Sequence, residues 1–564
     1  MNPPHSVLER ARLRFCRGFA ALLLVAGAAG GQLSVPPNYE WRQMTPTGEA
    51  GSSTTYQWMV DPRGEWVVFV GDIENAGAYA VYSMRRNGSV LHRLSPYAPS
   101  GEIQNVRLTD DGRRVVYQGD LETDGLAELW SAPLDGTPAS AVKLNLPVIG
   151  DGVSGVLPND AAGRLAYLAE TADGTGVWTV PVAGPAGAAV RVDPGDELGG
   201  IYGGFLAAEA GRVVLTMFEV ATAVTRIWSV PVAGPAASGL FLFESPPDGC
   251  TPFVVAWSPG TTRIAYTLQC DTPVGSRVNQ LWSVPIAGPA AAAVSLGGSF
   301  IEGGSIYTSS PAPDGSRLVF IADKLADERF ELWSVPITGP AGELVRLNPA
   351  LQSLGDVKSF DIAADSSFVA YIADQSSNEV FRAHAVPIGG PSSESIPLVT
   401  GALSVLRDVT SLAITPNGAS VILRADFTVD ERFDLYSVPS TGAFSVNRIT
   451  NDGLPGPEIS VSSLWRLHPD GARIAFAFDE ETPNDQRGLG EQRLAPEYIQ
   501  DARLNGDPVD GGRVVDFKVF PDSRGTIYRS DELVDERYHL FSVDSRIFGD
   551  GFEGGTTAAW ADTP

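Results

Sequence analysis

The chain has 564 residues, 40 Lys and Arg against 67 Asp and Glu, a formal net charge of −27, and 43% apolar and 9% aromatic residues. So acidic a surface repels nucleic-acid phosphate and anionic lipid, which excludes DNA or RNA binding as a working function. The apolar and aromatic share excludes an acidic disordered coil, and 61 Gly with 42 Pro describe a folded chain that turns often.

Residues 1–30 read as a secretory signal. A basic segment with Arg10, Arg12, Arg14 and Arg17 precedes the apolar run FAALLLVAGAAG, which is too short to span a bilayer and ends in small residues. Its loss would take the net charge to −30, since those four arginines are offset only by Glu9. The expected location is secreted or periplasmic. No later stretch has 18 uninterrupted apolar residues, so no membrane insertion is expected after signal removal.

From residue 38 to 545 the sequence repeats at a period of about fifty. The clearest copy is ELWSVPITGP at 331–340, and its aromatic recurs at Tyr82, Trp130, Trp178, Trp228, Trp282, Trp333, Tyr436 and Phe541, with His384 in the same place. The last interval is twice the others, so one marker is missing and the count is ten repeats. Within a repeat, taking 305–348 as the example, SIYTSSPA, RLVFIA, FELWSVPI and ELVRLN read as four short strands. Asp314-Gly315 and Gly339-Pro340 supply turns, and no helical period intervenes. The expected fold is all-β: a β-propeller of about ten four-stranded blades. One ring is expected because no linker or composition break divides the repeats. Two smaller rings are the alternative, since most propellers have four to eight blades.

The turns TDDGRRVVY (109–117), APDGSRLVF (312–320), TPNGASVIL (415–423) and HPDGARIAF (468–476) resemble the WD40-like (PD40) repeats of TolB-type propellers. The resemblance covers roughly residues 55–545 and implies the propeller fold. It leaves function open, because such repeats serve as scaffolds, binding proteins and gating domains of peptidases. The chain departs from TolB in having no room for an α/β domain ahead of the repeats. It departs from prolyl peptidases in lacking a G-x-S-x-G elbow.

The ends suggest how the ring closes. YEWRQMTP (39–46) resembles the fourth strands LHRLSP, LVRLNP and VNRIT, yet precedes the first repeat, while the last repeat runs out before a fourth strand of its own. Residues 39–46 are therefore expected to complete the last blade and remove an open sheet edge. Cys250 and Cys270 flank a hairpin. Trp257 opposite Ile264 gives a residue-number sum of 521 and the two cysteines give 520, which places the thiols opposite one another and predicts a disulfide. In the ninth repeat, HPDGARIAFAFD is followed by polar sequence that reads as an elaborated loop. The tail, 546–564, shows no strand alternation; its DGFEGG core resembles a short C-terminal motif of secreted Gram-negative proteins.

The second strand of most repeats ends on an acid, and further acids follow about four residues on. The candidate binding positions are Asp120, Asp323, Asp327, Asp374, Asp426, Asp430, Asp531 and Asp535, all on loops that emerge on one face. Two readings apply. Each first Asp caps its loop while Arg329, Arg432 and Arg537 pair with nearby acids; or the oxygens collect Ca²⁺, although the spacing is not that of the twelve-residue Ca²⁺ loop. No catalytic motif and no Cys/His metal spacing is present. The expected function is a non-enzymatic module that binds a protein, peptide or envelope partner and needs no cofactor. The alternatives are a lyase or hydrolase with its site in the channel, and a Ca²⁺-dependent adhesin.

Overall fold

Each repeat places β-branched and aromatic residues in period-two runs between Gly, Pro and Asp turns, and each run becomes a strand. In the computed structural model, ten four-stranded antiparallel sheets form in sequence. The structure describes residues 39–46 and, with short internal breaks, 54–545. The signal at 1–30, the tail at 546–564 and Asp535 lie outside the described residues. We number the blades by their residues: 54–93, 103–143, 153–191, 198–244, 251–302, 306–346, 357–397, 409–448, 459–503 and 514–545. The only helical pieces among the described residues are single 3₁₀ turns between third and fourth strands, such as Ala341–Glu343.

The marker aromatic of the third strand sits opposite a large residue of the second: Trp130 faces Tyr117, Trp333 faces Phe320 and His384 faces Tyr371. These cross-strand pairs pack between blades, half-buried at Trp130 and buried in the other two, so each apolar cluster draws on two neighbours. His384 stacks on Tyr371 at 5.2 Å as a tryptophan would, and burial pushes its pKa down to about 4.

The ring is single and closes as expected. Tyr39–Gln43 pairs antiparallel with His539–Ser545 as the fourth strand of the last blade. Met44, Trp58 and Phe69 share a core with Phe520, Ile527 and Leu540 across that seam. The match extends to one side chain. In other blades a polar residue closing the fourth strand accepts the backbone N–H of the third, as Asn348 does from Leu332 and Asn145 from Leu129. In the last blade Thr45 accepts from Leu540.

At the same seam Arg86 takes a position that is Leu134, Val232, Ile286 and Ile337 in other blades, all buried. It lies over the Phe520 ring and pairs with Asp522 at 2.7 Å and Asp544 at 2.6 Å. Charge thus supplements the apolar core at this seam.

The ninth repeat corrects the loop expectation. Arg487–Arg493 is a full third strand and Ala502–Arg503 a fourth. The missing marker is Gly490, opposite Phe476. A Cβ there would stand 2.8 Å from the Phe476 ring, and one at Gly488 2.3 Å from the Phe478 ring. The aromatic volume has moved from the third strand to the second, and glycine makes room for it.

Cys250 and Cys270 are disulfide-bonded, their Cα atoms 4.0 Å apart. The pairing sums run at 521 from Ser258 to Ala256 and at 520 from Val254 to Thr251, the change falling at a bulge. Closing a 20-residue loop stabilises a fold by about 3 kcal/mol. The double variant Cys250→Ser/Cys270→Ser is expected to melt several degrees lower and to lose the sensitivity to reductant that the parent shows.

Candidate functional site

The acids that end the second strands are consumed by backbone. One carboxylate oxygen of Asp323, Asp374, Asp426 and Asp531 accepts the N–H of the residue eighteen positions earlier, at the start of the first strand: Ser305, Asp356, Asp408 and Arg513, at 2.5 to 2.6 Å. The other oxygen accepts the N–H five positions later in Asp72, Asp120, Asp374 and Asp426. Each such acid ties the start of the inner strand to the loop between second and third strands.

Asp327 and Asp430 face solvent on those loops. Arg329 donates to the Leu351 carbonyl while its charge also acts on the Asp356 carboxyl of the next connection, and Arg432 donates to the Thr428 hydroxyl. The neighbouring Asp323 and Asp426 are already engaged by backbone N–H groups. No group of three or more potential metal ligands occurs among the described residues.

The residue five positions on adopts a left-handed backbone in the five of these loops where it is described: Gly77, Gly125, Glu328, Glu379 and Glu431. At φ 57° an exposed Glu379 is strained where Gly is not. Glu379→Gly is therefore expected to raise stability by about 1 kcal/mol, read as a higher denaturant midpoint at unchanged slope.

Two acids escaped sequence reasoning. Asp356 accepts the Phe330 N–H and Asp408 the Phe381 N–H, each carrying the chain from one blade to the next. The recurrent GDVKSF and RDVTSL strings held that signal. Burial, and then the neighbouring Asp374, push the Asp356 carboxyl up. A second missed group is the buried cluster of His468, Glu491 and Arg473 in blade 9, with His468 Nε2 and Arg473 Nη1 each 2.9 Å from Glu491. Glu491 stands where other blades place Ser131, Ser229, Ser283 or Ser334, each bonded to the arginine that opens the second strand. It is an internal variation on that pairing and is closed to solvent.

What varies from blade to blade gathers at the channel. Every first strand has a register break against its second. In blades 6 and 7 the break leaves Tyr307 and Lys358 without a partner on the second strand, and both are exposed. Tyr307 is 69% exposed and lies 5.7 Å from the Phe330 ring; Lys358 lies 4.5 Å over Phe381. Between the two inner strands, Ile306–Pro311 and Val357–Ile362, runs a groove of about 790 Å³ that also involves Thr308, Ser359, Phe360 and Asp361.

No family model matches the chain, and no curated protein matches it. Solved structures do. An oligogalacturonate lyase in complex with manganese aligns over 73% of this chain and 94% of its own, at 13% identity and a TM-score of 0.31. A eukaryotic initiation factor aligns over 84% and 97%, at 11% identity and a TM-score of 0.45. The β-propeller domain of the Trilobed protease from Pyrococcus furiosus aligns over 71% and 98%, at 10% identity and a TM-score of 0.31. At such identities the likeness is one of fold alone.

Proposed function

We propose that the chain is an exported, non-enzymatic β-propeller, akin to the TolB-type repeat proteins its turns resemble, that binds a protein or peptide partner through one face. The observation that carries this reading is the distribution of exposed apolar side chains. In an antiparallel meander the loops between second and third strands share a face with the connections between blades. That face carries Ile149, Leu325, Leu354, Val429 and Leu533, with Leu354 70% and Leu325 57% exposed. Single exposed apolar residues are ordinary, but Leu325, on the loop between second and third strands of blade 6, and Leu354, on the connection from blade 6 to blade 7, share this face and offer a docking surface. The disulfide and the basic-apolar start of the chain favour an oxidising compartment. Partner recognition requires no cofactor.

The test is affinity capture from an envelope extract with the tagged chain, beside a Leu325→Asp/Leu354→Asp variant of equal thermal stability. Retention of one partner by the parent and its loss in the variant is the expected result. Turnover of glycan or peptide substrates by the purified protein would overturn the reading. Heat on calorimetric titration with Ca²⁺ would point instead to the adhesin.

A further inference from the structure

We propose that the groove between the inner strands of blades 6 and 7 takes an extended, acidic and apolar polypeptide segment about six residues long, with a carboxylate on Lys358 and an apolar side chain against Tyr307. The inference rests on the binding reading above and specifies where and what the propeller binds.

The first ground is an opening in the lacing of the ring. At six of the ten seams side chains join neighbouring inner strands: Val106 N–H to Gln57, Ser309 to the Val255 carbonyl, Ile414 N–H to Asp361, Trp465 to Ser411, Trp58 to Asp516 and Arg107 to the Leu157 carbonyl. Blades 6 and 7 are described throughout, and among the described residues no hydrogen bond joins their inner strands. They are held instead at the two faces. Phe330 and Val357 bond backbone to backbone on one, and the Asp314 N–H reaches Ser366 on the other. The groove is the gap left between these two fixed points.

The second ground is the chemistry of its walls. Asp361 also lines the groove, and both oxygens of its carboxylate are turned to backbone, accepting the N–H groups of Ile362 and Ile414. Lys358 is the cation that lines the groove, and the hydroxyl of Thr308 and that of Ser359 have no protein partner among the described residues. The chain has four lysines, and one of them, Lys358, lines this groove. In a protein of net charge −27 it is a local attraction for an anion. Phe330 and Phe381 hold Tyr307 and Lys358 from behind, which limits the ordering cost of binding.

The third ground favours a polypeptide. The inner strand is the last in its sheet, so its channel-side backbone groups have no strand partner. At about 3.3 Å per residue, six residues of strand span about 20 Å, which an added strand of equal length would cover.

Fluorescence anisotropy with two labelled hexapeptides, alternating Val-Glu and alternating Val-Lys, tests this on the full chain. The parent is expected to bind the Val-Glu peptide, weaken at high salt, and ignore the Val-Lys peptide. Tyr307→Ala should weaken binding at least tenfold. Lys358→Glu should abolish it and confer binding of the Val-Lys peptide, a reversal that misfolding cannot mimic. Failure to bind either peptide, or binding that both variants retain, overturns the proposal. If the envelope partner is lost with Leu325→Asp/Leu354→Asp yet kept by both groove variants, the docking face stands and the groove falls.

Discussion

Glu532→Gln is expected to leave stability unchanged near pH 5 and to raise it markedly at pH 9. Glu532 is 3% exposed, and burial pushes its carboxyl up to about 8. Its neighbours are Tyr528, whose hydroxyl donates to it at 3.1 Å, Trp41, Asp531 and Arg503. Blade 7 has a neutral side chain in the same place: Tyr371 donates to Gln375 as Tyr528 does to Glu532. The pocket is thus shaped for an uncharged group. With its folded pKa above the unfolded value, Glu532 contributes stability that is fully present below about pH 4.5. That contribution falls as pH rises towards 8 and is gone above it. At about 1.4 kcal/mol per pH unit the loss is on the order of 5 kcal/mol. Burial lowers the pKa of His384 and His539, and these act in the opposite sense, on the acid side. They are common to both proteins, so the difference between parent and variant isolates the carboxyl. Urea unfolding at pH 5 and pH 9 reads it directly; a gap of equal size at both values would show that Glu532 does not titrate in this range.

Trp41→Ala is expected to destabilise the chain by about 3 kcal/mol and to free the N-terminal strand for proteolysis. Trp41 stacks on Phe541 at 5.4 Å and donates its indole N–H to Tyr528 at 2.7 Å, so one side chain both packs and bonds the seam. Trp41→Phe keeps the stacking and loses the bond, for about 1 kcal/mol. Equal losses in the two variants would show that ring burial plays no part.

What could be read from the sequence followed the repetition. Ten copies of one pattern fixed strand order, blade number and the fourth-strand character of residues 39–46, because each copy checked the others. The cysteine pair was legible because antiparallel register is arithmetic. Gly490 was not, because a residue that makes room leaves no apolar signal; only its neighbour Phe476 explains it. The eight candidate acids were found because they recur, and recurrence is the mark of the backbone ties that Asp374 and Asp426 make. Tyr307 and Lys358 recur nowhere. Their exposure depends on a one-residue register break, which composition cannot show.

The bond between Trp41 and Tyr528 joins residues 487 positions apart. A chain that emerges from its N-terminus delivers one half of that clasp first and the other almost last. Through most of synthesis or export, the first strand has nothing to pair with, and the growing stack of blades shows an open edge. Blades that contact only their neighbours can form one by one meanwhile, since their strands join over short loops. Completion of the ring therefore reports that the last blade has arrived. A truncated product keeps an unpaired strand at one end and an unfinished sheet at the other, a form that proteases and chaperones recognise.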